Sequence, residues 1–351
     1  MQIKELVQFI EWFNENVVET QLPSKYTAFY TKINTNVRQG QVKQPFEIEK
    51  EALFDILKSI DYQSLSLEQL KFLESHSLKN LLGKEGIENI NNILFESNID
   101  IATAAKKIVE NRNILNTAIK NISELENAIV NNFDIDDNED ISDGKVLMRV
   151  YFQNDVSIDN LTDFKKLSAI WYDIGRGIAM AQDKTPDDFT IIGAKKGSII
   201  IEMAVAVTLA TSVSKILLEA LKVADRFLEV LKKVQELKSL KLNNTKIEKE
   251  LKIEAEKEKE NGIKSILEIA IVDLKLDIKS QGDKVNAIEK SISKLVNFTE
   301  NGGLVDFVQP DEVDEENPDK NLRDEVKKLN NNINEIRLLE NKTKLLGNKT
   351  A

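Results

Sequence analysis

The residues best placed to do chemistry in this sequence are few, and each set lacks a part. Gly193-Ala194-Lys195-Lys196-Gly197-Ser198 has the glycines, lysines and hydroxyl of a phosphate-cradling loop. A Walker loop needs Gly, four residues, then Gly-Lys-Ser/Thr between a strand and a helix, so that backbone N–H groups and the final lysine meet the phosphates. Here both lysines precede the second glycine, and Gly197 opens a β-branched run. A hairpin turn is therefore expected, with Lys195 and Lys196 as an exposed contact point. Gly175-Arg176-Gly177 lies inside a helical pattern rather than between strand and helix, which removes it as a dinucleotide fingerprint. Close packing of that helix explains its glycines, and Arg176 is left as a contact residue for an acidic ligand or a surface ion pair.

The acids are more numerous but no better organised. Asp134, Asp136, Asn138 and Asp140 alternate like the start of a calcium loop, yet the sixth position is Glu139 where glycine makes the turn. The twelfth is Lys145 where a bidentate glutamate is needed. A solvated linker is the reading. Ser198 lacks the flanking pattern of a nucleophile elbow. His76 is the sole histidine, and no nearby Ser or Asp suggests a triad. With 59 Asp plus Glu, a pair at glycosidase spacing could exist anywhere, and nothing singles one out. No catalytic, cofactor-binding or metal residue is assigned, no cofactor is expected, and the expectation is a non-enzyme.

Composition narrows the setting. The 351 residues are 41% hydrophobic and 30% charged, with 13 Gly and 5 Pro, which suits a helix-rich protein of more than one domain. There is no cysteine, hence no disulfide and no thiolate metal site. The net charge of −11 opposes a general nucleic-acid surface, which needs clustered Lys and Arg. The opening MQIKELVQFIEWF mixes charge into its apolar positions and has no small-residue cleavage site, so it does not read as a signal peptide. Together these favour the cytoplasm.

The elements follow from periodicity. Ile3, Leu6, Val7, Ile10, Phe13 and Val17 form one helical stripe, and similar stripes recur to Ile129. Ser66 stands three residues before Gln69 as a capping box. Residues 1–133 read as a helical bundle and 134–144 as an acidic linker. Residues 145–242 read as a β-α-β-β module: a strand over 145–153, largely apolar around Arg149 and so central or covered on both faces; a helix over 160–182; and hairpin strands over 189–194 and 198–205. Three strands with two helices on one face result. The fold class is α+β, predominantly helical, with long coiled-coil-like helices toward the C-terminus.

From about Thr208 the chain carries the most regular pattern it has. Val213, Leu217, Ala220, Ala224, Phe227, Leu231 and Val234 alternate four and three apart, a heptad seam. Residues 243–299 read as a helical extension, solvent-exposed over 246–260, and 300–319 as a second acidic linker. Residues 320–351 read as a final amphipathic helix with the seam Leu322, Val326, Leu329, Ile333 and Ile336. The two seams suit each other, another helix, or a second copy, so a protein partner or a homo-oligomer is expected. One stretch competes with this: Ile199 to Leu218 is strongly apolar. Glu202 and Lys215 leave an uncharged run of Met203–Ser214, too short for a span. A buried segment is the main reading. A membrane-perturbing effector acting through 199–218 is the alternative, which Leu209→Asp would test in liposomes.

The segment RVYFQNDVSIDNLTDFKKLSAIWYDIGRGIAM, followed by GAKKGSIIIEM and a long charged helix, resembles an arrangement in uncharacterised bacterial proteins, some encoded near anti-phage defence genes. It covers about residues 145–242 and transfers no catalytic residue. What the resemblance implies is a bacterial interaction or defence component, a sensor, adaptor or scaffold subunit of a multi-protein system.

Overall fold

The computed structural model describes residues 1–38, 42–96, 100–132, 144–195, 199–239, 245–310 and 320–347. It divides into two compact units, Met1–Glu139 and Asp140–Ala351. Among the described residues are eleven α-helices and one four-stranded sheet, so the chain is α+β and predominantly helical.

The first unit is helical. α1 (Ile3–Phe13) runs on through a π-helical turn, Asn14–Val18, into α2 (Leu22–Val37); α3 (Glu47–Ser59), α4 (Leu67–Ser75), α5 (Gly83–Glu96) and the long α6 (Ile101–Asn132) follow. Pro23 sits in the first turn of α2, where its missing N–H costs nothing. Phe9, Phe13, Tyr26, Phe29, Leu53, Leu57, Ile108 and Leu115 share one buried core. Tyr26 is completely buried and donates its hydroxyl proton to the Leu81 carbonyl at 2.8 Å, which satisfies the one polar atom that burial would otherwise orphan. The capping box at Ser66 forms as its spacing predicts: Ser66 accepts from the Gln69 N–H and donates its own N–H to the Gln69 side chain at 2.8 Å.

The second unit is built on a sheet of β1 (Lys145–Phe152), β2 (Phe189–Lys195), β3 (Ile199–Ala206) and β4 (Leu304–Phe307), in the order β2-β3-β1-β4 with every neighbour antiparallel. Because both flank β3 in antiparallel sense, β1 and β2 are parallel, joined by the crossover helix α7 (Leu161–Ala181). Strand β1 is central and buried from Val146 to Phe152. Its alternate residues Val146, Met148, Val150 and Phe152 join Met203 and Val205 of β3 and Val305 and Phe307 of β4 on one apolar face. That face belongs to a core shared with α7, α8 (Val207–Ser239), α9 (Thr245–Asp273), α10 (Gly282–Glu300) and α11 (Lys320–Gly347). Phe298 of α10 makes edge-on contacts with Phe152 of β1, at 5.6 Å between centroids, and Trp171 of α7, at 5.2 Å.

Three readings of the C-terminal half change. The three-stranded module has a fourth strand, β4, inside the 300–319 region read as a linker. Gly302, with φ +85°, turns the chain out of α10, and Gly303 lies where any Cβ would strike the Phe298 ring at 2.3 Å. The supposed extension 243–299 belongs to the unit's core: α9 packs on α8 and α10 on α7. Most described residues of 249–260 are exposed, as the solvated reading of 246–260 expects, and Ala255 alone among them is buried. The acidic stretch 134–144, calcium-loop pattern included, lies outside the described residues except for Gly144.

Candidate interaction surface

The two seams meet each other. Helices α8 and α11 pack together, and Val213, Leu217 and Ala220 share a core with Val326, Leu329, Ile333 and Ile336; Leu322 packs against it half-buried and Ala224 is buried beside it. Asn332 ties the pair by donating to the Ser214 hydroxyl at 3.0 Å. These apolar residues therefore close on each other within the chain, the first of the three pairings that the two seams allow. Phe227, Leu231 and Val234 belong to α8, but their side chains lie outside the described residues. The apolar segment 199–218 is likewise central strand β3 followed by the buried first turns of α8. Among the described residues, no helix is long and apolar enough to cross a membrane.

On the face of the sheet opposite the helix core, charge is arranged in a row. Arg149, Glu202 and Asp306 occupy register partners across β1, β3 and β4, and all three are buried. Arg149 donates from Nε to Glu202 Oε1 at 2.7 Å, and Lys195 reaches the same oxygen at 2.9 Å. Arg337 of α11 donates to the Phe307 carbonyl at 2.7 Å and to Asp306 at 3.4 Å. Signs alternate along the row from Lys195 to Arg337, which is what lets ions remain buried. Burial pushes the Glu202 carboxyl up, but the hydrogen bonds from Lys195 and Arg149 outweigh it and hold the group below its ordinary range. Each charge is met by an opposite one, so the row is structural support and offers no unpaired acid for general acid–base work.

The accessible feature is the free edge of the sheet. Among the described residues, strand β2 has β3 on one side and no strand on the other. Its register with β3 slips between Ile191 and Gly193, making Ile192 a β-bulge. Phe189 and Ile191 point to the helix-bearing face, opposite Val205 and Met203; Phe189 is half-buried beside Gly175 of α7, and Ile191 is left exposed. The result is an apolar groove of about 480 Å³ floored by Ile201, Met203 and Phe152, and walled by Trp171, Tyr172 and Gly175 of α7. Ile191 is 66% exposed and Tyr172 57%. Gly175 sets the groove's depth: a Cβ there would touch the Phe189 ring at 3.5 Å. The Trp171 indole N–H, buried in the wall, has no hydrogen-bond partner among the described residues.

Around this edge the sequence-predicted contact residues separate. Arg176 is exposed on α7, one turn beyond Tyr172. Lys195, at the end of β2, is committed to Glu202; Lys196 and Ser198 lie outside the described residues. His76 is held locally, its Nδ1 3.0 Å from the Phe72 carbonyl and its ring against Phe72. A second cleft of about 370 Å³ lies among α8, α9 and α11, but the lysines that line it are already paired, Lys215 with Asp273 and Lys328 with Glu325. No group of three or more metal-ligating side chains occurs among the described residues. The groove was missed from sequence because β2 and its exposed Ile191 read as an ordinary hairpin strand. Edge position depends on the order of strands, which local periodicity does not carry. No protein-family model, curated protein or solved structure matches the chain.

Proposed function

We propose that this chain is a non-enzymatic protein–protein interaction subunit, a sensor, adaptor or scaffold of a bacterial multi-protein system, with anti-phage defence the setting its sequence resemblance suggests. The single observation that carries the reading is the open edge of β2 beside an apolar groove. An unpaired strand edge offers a row of backbone donors and acceptors that only another chain can satisfy in a sheet-like way, and natural proteins usually blunt or cover such edges. Here exposed Ile191 and Tyr172 stand next to it. Apolar residues at the rim of an open edge favour docking of an extended segment, since main-chain bonds supply orientation and the groove supplies side-chain burial.

The test is affinity recovery of the tagged full chain from its native cells, comparing wild type with Tyr172→Glu, a substitution at an exposed helix position. A defined protein recovered by wild type and lost by the variant is expected. A wild-type chain that recovers nothing above the tag alone, and sediments as a strict monomer, would sink the reading.

A further inference from the structure

The groove and edge described above suit one occupant in particular. We infer that β2 pairs antiparallel with β2 of a second copy of this chain, across a two-fold axis at Ile191, to make one continuous eight-stranded sheet. The inference rests on the docking reading of this edge and names its partner.

The β2 edge is self-complementary. A two-fold interface brings each surface patch against itself, so the patch must carry both halves of every contact. The β2 region reads Asp187-Asp188-Phe189-Thr190-Ile191-Ile192-Gly193-Ala194-Lys195-Lys196, acids at one end and lysines at the other. Ile192 is a bulge, so Ile192 and Gly193 together fill one ladder position. Counting outward from Ile191 on that basis, Thr190 lies opposite the bulge, Phe189 opposite Ala194, and Asp188 opposite Lys195. The bulge is what makes the faces agree: Phe189 and Ile191 stand across from Val205 and Met203 of β3, and Ala194 stands across from Ile201, so all three share the apolar side. Without it, the pairing that matches Asp188 with Lys195 would set apolar residues against the opposite face. At the axis the two Ile191 side chains meet, and the exposed Tyr172 of each copy flanks the joined groove. The end charges favour this direction, with Lys195 still bonded to Glu202, because a parallel pairing would bring acid to acid and lysine to lysine.

The absence of cysteine makes a direct test simple. Opposed residues of an antiparallel pair stand about 4.5–5.5 Å apart at Cα, within reach of a disulfide. The full chain with Ile191→Cys is expected to form a disulfide-linked dimer under mild oxidation. A chain with Ile48→Cys, at a still more exposed position on α3, is expected to remain monomeric at the same concentration. By sedimentation equilibrium the wild type is expected at twice the monomer mass. Ile191→Lys, which places like charges on the axis, should weaken association about tenfold or more, and its melt should match that of wild type diluted to monomer. A wild-type monomer at high-micromolar concentration overturns the inference, as does cross-linking of Ile191→Cys no faster than Ile48→Cys, which decides the matter even if Ile191→Lys folds poorly. A monomer that still loses a bound heterologous protein on Tyr172→Glu overturns self-pairing alone and leaves the docking reading intact.

Discussion

Helices α7 and α10 approach closely at Gly177, and the contact makes a sharp prediction. A Cβ built there would lie 2.0 Å from Ser291 Oγ and 2.3 Å from the Ala287 carbonyl oxygen. Real Cβ contacts do not fall below 3.0 Å, so the backbones of the two helices must separate by at least 0.7 Å, the difference between 3.0 and 2.3. The Ser291 hydroxyl, which bridges the Asp173 carbonyl at 2.9 Å and the Ala287 carbonyl at 3.0 Å, would also be displaced. Overpacking of this kind costs up to about 3 kcal/mol, and the upper end applies because one clashing atom is backbone. Replacing a mid-helix glycine with alanine returns about 1 kcal/mol of propensity. Gly177→Ala should therefore lose about 2 kcal/mol net, or roughly 4–8 °C in Tm for a unit of this size. Two residues earlier the sign reverses. At Gly175 the nearest atoms, of Phe189, stand at an ordinary 3.5 Å, so Gly175→Ala keeps the propensity gain of up to about 1 kcal/mol. Each unit holds one tryptophan, Trp12 in the first and Trp171 in the second, so thermal unfolding followed by fluorescence in a Trp12→Phe background reports on the second unit alone. If Gly177→Ala melts at or above wild type while Gly175→Ala does not, the account of this helix pair is wrong.

Other outcomes follow from residues already placed. Leu329→Ala should cost about 2–5 kcal/mol at any protein concentration, because the α8–α11 seam is core and not an interface between copies; a loss that appears only on dilution would contradict this. Glu202→Gln removes the charge shared by Arg149 and Lys195 and should cost about 3 kcal/mol at neutral pH, measured by urea unfolding. The Glu202 carboxyl is held below its ordinary value of 4.5, so its stability is present above that pH and drains as pH falls through the lower folded value. The variant should accordingly show a flatter acid limb, and an unchanged limb would remove Glu202 as its source. In the first unit, Ser66→Ala deletes the α4 cap and should cost about 1 kcal/mol, read from the Trp12 signal.

Helix patterning carried most of the architecture, and its failures have physical causes. The stripes of α1, α6, α7 and α11 declare themselves because each buries one face over several turns. Strand β1 was legible as central because a run buried on both faces shows no alternation, and its one interior charge, Arg149, is met by Glu202. Strand β4 was hidden by brevity: Leu304-Val305-Asp306-Phe307 alternates correctly but sits between Gly303 and a proline and acid-rich stretch that dominates any window. Ala255 and Gly262 show the same limit in helices. Small residues bury by letting a neighbour approach, as Val223 does at Gly262, and a hydrophobicity scan passes over them. The heptad rule found both seams yet could not say whether they would close on each other, since periodicity records an apolar face but not its occupant. The groove beside β2 was invisible for a related reason, being a product of which strand ends the sheet.

The position of β4 has a consequence for how the chain is made. Met148 pairs with Phe307, 159 residues downstream by subtraction of their numbers. While the ribosome is still delivering α8, α9 and α10, the flank of β1 that β4 will occupy has no neighbour. Sheet closure is thus among the last events of synthesis, and pairings this distant in sequence form slowly. Truncation anywhere before residue 304 would strand the central strand at a raw margin, so shortened chains should be selectively prone to clumping.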